Sequence, residues 1–259
     1  MRFVQLSDPH IVVPEKQPIH GRDTLHHLRC AVKTVNGLDP APEFVLLTGD
    51  LTNDELPGSY SLVKAVLSDL RMPCHLALGN HDARRTFREF FLAESNPTEN
   101  RYYYTFWQGD RRFIVLDSLD EGKVPGLLDE EQIRWLAVEL VANPQAPTVV
   151  CLHHPPVPIG VKWLDELMLQ NPEALLALLD AHTCVQLVLC GHVHQPTRLD
   201  RNHYTIMTSP AVSVQFRPEP LPPPAERLHS IISEELPAFR IFDFTDGVWL
   251  TTEQTVSLT

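Results

Sequence analysis

No stretch of this 259-residue chain stays apolar for the roughly 20 residues that a membrane-crossing helix needs, so no membrane partner is expected. Basic runs are missing too. Lys and Arg number 21 against 33 Asp and Glu, a formal net charge of -12, and no stripe of cations marks the chain. A protein that grips long DNA or RNA through its phosphates needs such a stripe, so long nucleic acid is a poor substrate. Small anions stay open, because bound cations reverse the potential locally. Cysteine is sparse: Cys30, Cys74, Cys151, Cys184 and Cys190 are odd in number, lie in apolar stretches and never take CxxC spacing. They read as buried, reduced thiols. Residues 1–8 form a strand that already carries a chemical motif, so no leader is read there and a cytoplasmic protein is expected. Internal repeats are absent as well.

What is present is an ordinary globular composition, 43% hydrophobic and 21% charged with a mean hydropathy of -0.12. The excess is in proline, 23 residues, several of them between Pro218 and Pro224. Short apolar runs read as buried strands at Phe3 to Leu6, Phe44 to Leu47, His75 to Leu78, Phe113 to Leu116, Thr148 to Leu152 and Leu187 to Leu189. Helical spacing falls near 23–36, 59–70, 129–141 and 172–180, with Asp129 as an N-cap. Alternation of this kind predicts an α/β fold. Later strands are predicted at Tyr204 to Thr208, Val212 to Phe216, Phe239 to Phe244 and Val248 to Thr252, the last two joined by an Asp246-Gly247 hairpin turn. One domain over 1–259 is expected: a core of about 1–216, an irregular lid or oligomerisation segment over 217–236, and closing strands over 237–259.

The chemistry sits where the strands end. Asp8-Pro9-His10 follows the first run, Gly49-Asp50-Leu51-Thr52-Asn53 the second and Gly79-Asn80-His81-Asp82 the third. His153-His154-Pro155-Pro156 and Gly191-His192-Val193-His194 follow two later ones. Ligands of open α/β sheets bind beyond the carboxyl ends of strands. Asp8, His10, Asp50, Asn80, His153, His192 and His194 offer carboxylate, imidazole and amide donors without thiolate, a set suited to divalent Mn, Fe, Co or Zn. Seven donors are too many for one ion with an open position, but they suffice for two ions sharing a carboxylate. Such a pair activates water to hydroxide near neutral pH and stabilises in-line displacement at phosphorus. DxH and HxH are expected to work by alternation, residues i and i+2 of an extended segment reaching one site. The glycines before Asp50, Asn80 and His192 allow a sharp turn and close approach.

The ordered set D-x-H, G-D-x-x-N, G-N-H-D, H-H-P-P and G-H-x-H resembles the calcineurin-like metallophosphoesterases. Gly49 to Tyr60 and His153 to Pro172, including Trp163-Leu164-Asp165, are similar to a narrower group, the bacterial class III cyclic nucleotide phosphodiesterases and related glycerophosphodiesterases. The resemblance spans about 3–217. It implies a four-layer α/β/β/α sandwich and hydrolysis of a small phosphodiester by a metal-bridging hydroxide. It also implies that Asp8, His10 and His194 hold one ion, Asn80, His153 and His192 the other, and that Asp50 bridges them. Asp50 and His81 are the catalytic candidates, His81 reaching phosphate oxygens or the leaving group; the competing reading packs it against the Asp8 loop. Some glycerophosphodiesterases of the group carry a further histidine in the loop matching Ser209 to Phe216, where this chain has Val214.

Other polar residues take plainer readings. Asn53 and Asp54 are expected to cap the next helix, and Asp82 to cap a helix or support a ligand. His26, His27, Arg84 and Arg85 are expected at the surface. His20 is a candidate for lining the substrate pocket, as is His154, for which packing or hydrogen bonding behind the metals is equally open. A phosphomonoesterase or a nucleotide pyrophosphohydrolase using the same centre is the nearest alternative. A non-catalytic scaffold would be expected to lose ligands, and all seven are present. Homo-oligomers are expected.

Overall fold

The computed structural model describes residues 1–16, 18–95, 100–218 and 231–259. In chain order the elements are β1 (Arg2–Leu6), α1 (Thr24–Asn36), β2 (Phe44–Thr48), α2 (Pro57–Leu67), β3 (Cys74–Ala77), α3 (Arg84–Phe91), β4 (Tyr104–Gln108) and β5 (Arg111–Val115). There follow α4 (Glu130–Ala142), β6 (Thr148–Cys151), α5 (Lys162–Asp165), α6 (Pro172–Ala181), β7 (Val185–Cys190), β8 (Thr197–Arg201), β9 (Tyr204–Thr208), β10 (Ala238–Thr245) and β11 (Val248–Thr255).

The strands form two sheets, in the orders β11-β10-β1-β2-β3 and β4-β5-β6-β7-β9-β8. Pleat alternation decides how they stack. In β2, Phe44 and Leu46 turn to an inner core shared with Phe113, Val149 and Leu187 of the second sheet. Val45 and Leu47 of the same strand turn outward, onto Leu28, Val35, Tyr60 and Val63 of the helices. The second sheet buries its other face against Leu136, Leu140, Leu175 and Leu179 of α4 and α6. Helix, sheet, sheet and helix therefore form the four layers expected. Neighbouring central strands run parallel, β1 with β2 and β6 with β7, so their carboxyl ends meet at one rim of both sheets.

Local chemistry fixes several boundaries. Asp129 accepts from the Gln132 amide at 2.8 Å and caps α4, as predicted. Asp246 and Gly247, at φ 53° and 82°, make the left-handed turn between β10 and β11. Other expectations need correction. Val212 to Phe216 is no strand: Phe216 alone makes an isolated bridge, to Ile232. Gln215 is turned instead toward its own segment, binding Ala211 through both backbone groups. The edge strands β4 and β8 and the helix α3 are elements that the sequence reading did not name. Helix α2 starts at Pro57 after Leu56, so Asn53 and Asp54 do not cap it. His27 is buried, its Nδ1 donating to the Ser213 carbonyl at 2.8 Å. Arg84 is buried too, in a bidentate pair with Asp117 at 2.8 and 3.1 Å. Most of the proline cluster and of the 217–236 segment lies outside the described residues.

Candidate metal centre

Each sheet contributes half of the centre. Asp8 and His10 follow β1, Asp50 follows β2 and Asn80 follows β3; His153 follows β6, and His192 and His194 follow β7. The halves are tied where the His192 amide donates to the Asp8 carboxylate at 3.1 and 3.2 Å. The backbone does not work by extended alternation. Asp8, His10, Asp50, His192 and His194 all have positive φ, between 48° and 70°, a region that L-residues seldom adopt. Strain concentrated on the donors in this way is typical of functional sites. Gly49 also has positive φ, 97°, whereas Gly79 and Gly191 do not. Their role is close approach: a Cβ on Gly79 would run into the Asp50 carboxylate, and one on Gly191 into Ser7 Oγ.

The donor atoms converge. Asp50 Oδ2 is 3.4 Å from His10 Nε2 and 3.3 Å from His153 Nε2. His153 Nε2 is 3.2 Å from Asn80 Oδ1. Asp8 Oδ1 is 3.3 Å from His194 Nε2, which faces His10 Nε2 at 3.1 Å. Partners behind the rings set their tautomers. His153 Nδ1 donates to Thr48 O at 2.8 Å, His194 Nδ1 to Val214 O at 2.7 Å and His192 Nε2 to Leu167 O at 3.0 Å. Asn53 Oδ1, 3.1 Å away, accepts from His10 Nδ1. With those protons committed, the Nε2 lone pairs of His10 and His194 face one another across the centre. Such a nest of acceptors is repulsive unless cations lie within it, so the donor set fits metal ions.

Electrostatics agree. Burial opposes a charge on His153, but Asp50, Asp8 and the Thr48 carbonyl together outweigh it and raise the imidazole to about 9, so without an ion its Nε2 holds a proton that a cation would displace. Burial lowers His10 to about 3. Burial and then His153 lower His192 to about 3 as well. Against burial, His194 and His153 hold Asp8 down at about 2.

The neighbouring residues divide sharply. His81 is half-buried at the edge of the centre, its ring meeting that of His10 edge-on at 4.9 Å. The Asp82 carboxylate sits beneath the Asp50 and Asn80 loops, accepting from the amides of Gly79 (3.0 Å), Leu51 (3.2 Å) and Thr52 (3.3 Å) and from the Tyr60 hydroxyl (3.1 Å). His154 is fully buried, with Nδ1 on Ser118 Oγ at 2.8 Å and Nε2 on Val124 O at 3.0 Å. Its ring lies 4.8 and 4.6 Å from those of His153 and His192, in one cluster of nitrogen donors with them. His20, half-buried at φ 50°, is not among the clustered donors. Sequence reasoning missed Asn53 as the partner of His10, Tyr60 as the partner of Asp82, and Ser118. Only the G-D-x-x-N spacing pointed at any of them.

A two-sheet sandwich with Asp, Asn and His donors gathered at the strand ends is the architecture of a dimetal-type phosphoesterase. The calcineurin-like phosphoesterase family model matches residues 1–196, and the chain belongs to that family. It is 32% identical to a 3′,5′-cyclic-nucleotide phosphodiesterase of Nostoc sp. over 96% of this chain and 90% of the relative. It is 33% identical to a probable glycerophosphodiester phosphodiesterase of Arcobacter nitrofigilis, over 83% of this chain and 80% of that one. Among solved structures, a dimetal phosphatase from Danio rerio shares the fold, with a TM-score of 0.73 at 17% identity over 100% of this chain and 99% of the other.

Proposed function

We propose that this chain hydrolyses small phosphodiesters, of the cyclic-nucleotide or glycerophosphodiester type, at a two-ion centre. Asp8, His10 and His194 would hold one divalent ion, Asn80, His153 and His192 the other, and Asp50 both. The carrying observation is the facing of lone pairs on His10 and His194, 3.1 Å apart, whose other nitrogens are already committed. Nitrogen and oxygen donors suit Mn, Fe, Co or Zn. Ions held there would supply positive charge to the phosphoryl oxygens and make water acidic enough to lose a proton near neutral pH.

The chain's own residues supply the rest. Half-buried His81 stands beside the donors with its amide fixed on Asp50 at 2.8 Å, so a ring N–H can reach a phosphoryl oxygen or protonate the departing alkoxide. His20, in the turn after the first ligand loop, is proposed to border the substrate. The diester preference rests on the similarity to the Nostoc and Arcobacter proteins. Placement in the cytoplasm accords with five unbridged cysteines. No helix among the described residues is long and apolar enough to cross a membrane. Self-association to at least a dimer is proposed as well, the edge strand β11 leaving Val248 and Leu250 56% and 58% exposed; a monomer by light scattering at high concentration overturns it.

The test is a comparison of specificity constants in Mn²⁺ for bis(p-nitrophenyl) phosphate and p-nitrophenyl phosphate, with and without prior chelation. The diester is expected to be the better substrate, and the chelated enzyme inactive. The reverse substrate order would move the chain to the monoesterases, and full activity after prolonged chelation would remove the two-ion centre.

A further inference from the structure

Phe216 belongs to none of the ligand motifs, yet its ring lies flat on the imidazole of His194, with centroids 4.0 Å apart and planes 8° from parallel. The same segment holds that imidazole at its edge, where Val214 O takes the Nδ1 proton at 2.7 Å. One contact fixes a nitrogen and the other fixes the plane. Phe216 is itself well anchored. Trp163 meets it at 62° and 5.4 Å, and Gln195 Nε2 donates to its carbonyl at 3.0 Å. A short antiparallel pairing steadies its backbone: Phe216 bridges Ile232, the Arg217 amide donates to Ile231 O at 2.7 Å and the Ser233 amide to Gln215 O at 2.9 Å.

His194 needs such support more than a ring held among charges of opposite sign would. Its Nε2 lone pair faces that of His10 at 3.1 Å, and without an ion the two repel. A hydrogen bond at Nδ1 alone leaves the ring free to tilt about that bond and turn its lone pair away from Asp8. The flat contact with Phe216 blocks that motion and keeps water from the covered face.

We infer that Phe216 is a positioning residue for His194: it holds the imidazole plane so that Nε2 faces Asp8 and His10, and so sets the affinity of the ion on that side of the centre. The inference rests on the two-ion assignment proposed above. Simple packing is the alternative, since Phe216 also touches a small apolar group with Trp163, Leu164 and Val193. Packing alone would not depend on His194.

The experiment titrates metal-free, full-length wild type, Phe216→Ala, Phe216→Tyr, His194→Ala and the Phe216→Ala/His194→Ala double variant with Mn²⁺ by calorimetry. Elemental analysis counts the ions, and circular dichroism with thermal midpoints of the metal-free proteins reports folding. Phe216→Ala is expected to keep one ion at wild-type affinity and to bind the other about tenfold more weakly or worse, the loss typical of groups that orient a ligand. Phe216→Tyr keeps the ring and should bind as wild type, and the double variant should match His194→Ala. Should Phe216→Ala not fold, Phe216→Leu replaces it, retaining apolar bulk without a flat ring. Wild-type affinities for both ions in the Phe216 variant, equal weakening of both, or a further loss in the double variant would overturn the inference. A wild-type chain that binds no Mn²⁺ would instead remove the two-ion reading beneath it.

Discussion

The His81 amide donates to Asp50 Oδ1 at 2.8 Å, and that bond leaves Asp50 Oδ2 alone to face His10 and His153, at 3.4 and 3.3 Å. One oxygen thus stands between the donors of both sheets. Asp50→Ala is therefore expected to lose both ions, while Asp8→Ala chiefly weakens one. Elemental analysis of the purified variants checks this. An Asp50→Ala protein that retains two ions would show that the carboxylate does not bridge.

His81 itself offers a cleaner separation of binding from chemistry. Its backbone is pinned on both sides, the amide by Asp50 and the carbonyl by the Thr52 hydroxyl at 3.0 Å, so removing the side chain should leave the loop in place. In His81→Ala, metal content should stay near wild type while kcat falls by about 10²-fold, the usual worth of a positioned acid. The loss should shrink for substrates with good leaving groups. Intact metals with nearly unchanged kcat on a poor-leaving-group diester would return His81 to the packing role that its edge-on contact with His10 also allows.

Asp82 and Tyr60 should matter through geometry alone. The Tyr60 hydroxyl donates to Asp82 at 3.1 Å and accepts from the Ala83 amide at 2.7 Å, all of it beneath the Asp50 and Asn80 loops. Tyr60→Phe leaves the Ala83 amide without that acceptor, at a cost of about 1–3 kcal/mol where such a group is buried. Asp82→Asn turns one acceptor into a donor facing backbone amides. Both variants should bind metal about 10- to 100-fold more weakly with KM little changed once ions are saturating. Wild-type metal affinity in Asp82→Asn would refute the linkage.

His27 predicts a pH effect away from the chemistry. Burial lowers its pKa below the ordinary 6.5, so the unfolded chain takes up the proton first as pH falls. Its contribution to stability is therefore present above about pH 6.5 and lost progressively below it. His27→Asn can keep a donor for Ser213 O without titrating. Thermal midpoints measured against pH in chelator should fall less steeply on the acid side for this variant, and parallel curves would rule out the role.

Periodicity and composition were enough to place the central strands, the capped helix α4 and the ordered donors at the strand ends. Apolar runs and polar motifs are local quantities, and the parallel sheets convert their order along the chain into a shared rim. What the local pattern does not encode is which side chains meet across long separations. Arg84 looked like a surface arginine because its partner, Asp117, lies 33 residues away. Asn53 looked like a helix cap because His10, 43 residues earlier, cannot be seen beside it in the sequence. Phe216 carries no motif, and its stacking on His194 exists only because an irregular segment after β9 folds back across the rim. The left-handed backbone at five of the donors was equally hidden, since non-glycine residues take that conformation only where surrounding contacts hold them in it. Local sequence therefore specifies which donors exist and which strand carries each to the rim. Their plane, tautomer and spacing were decided by tertiary contacts, because orienting an imidazole takes a second group at its edge or face, and that group comes from another part of the chain.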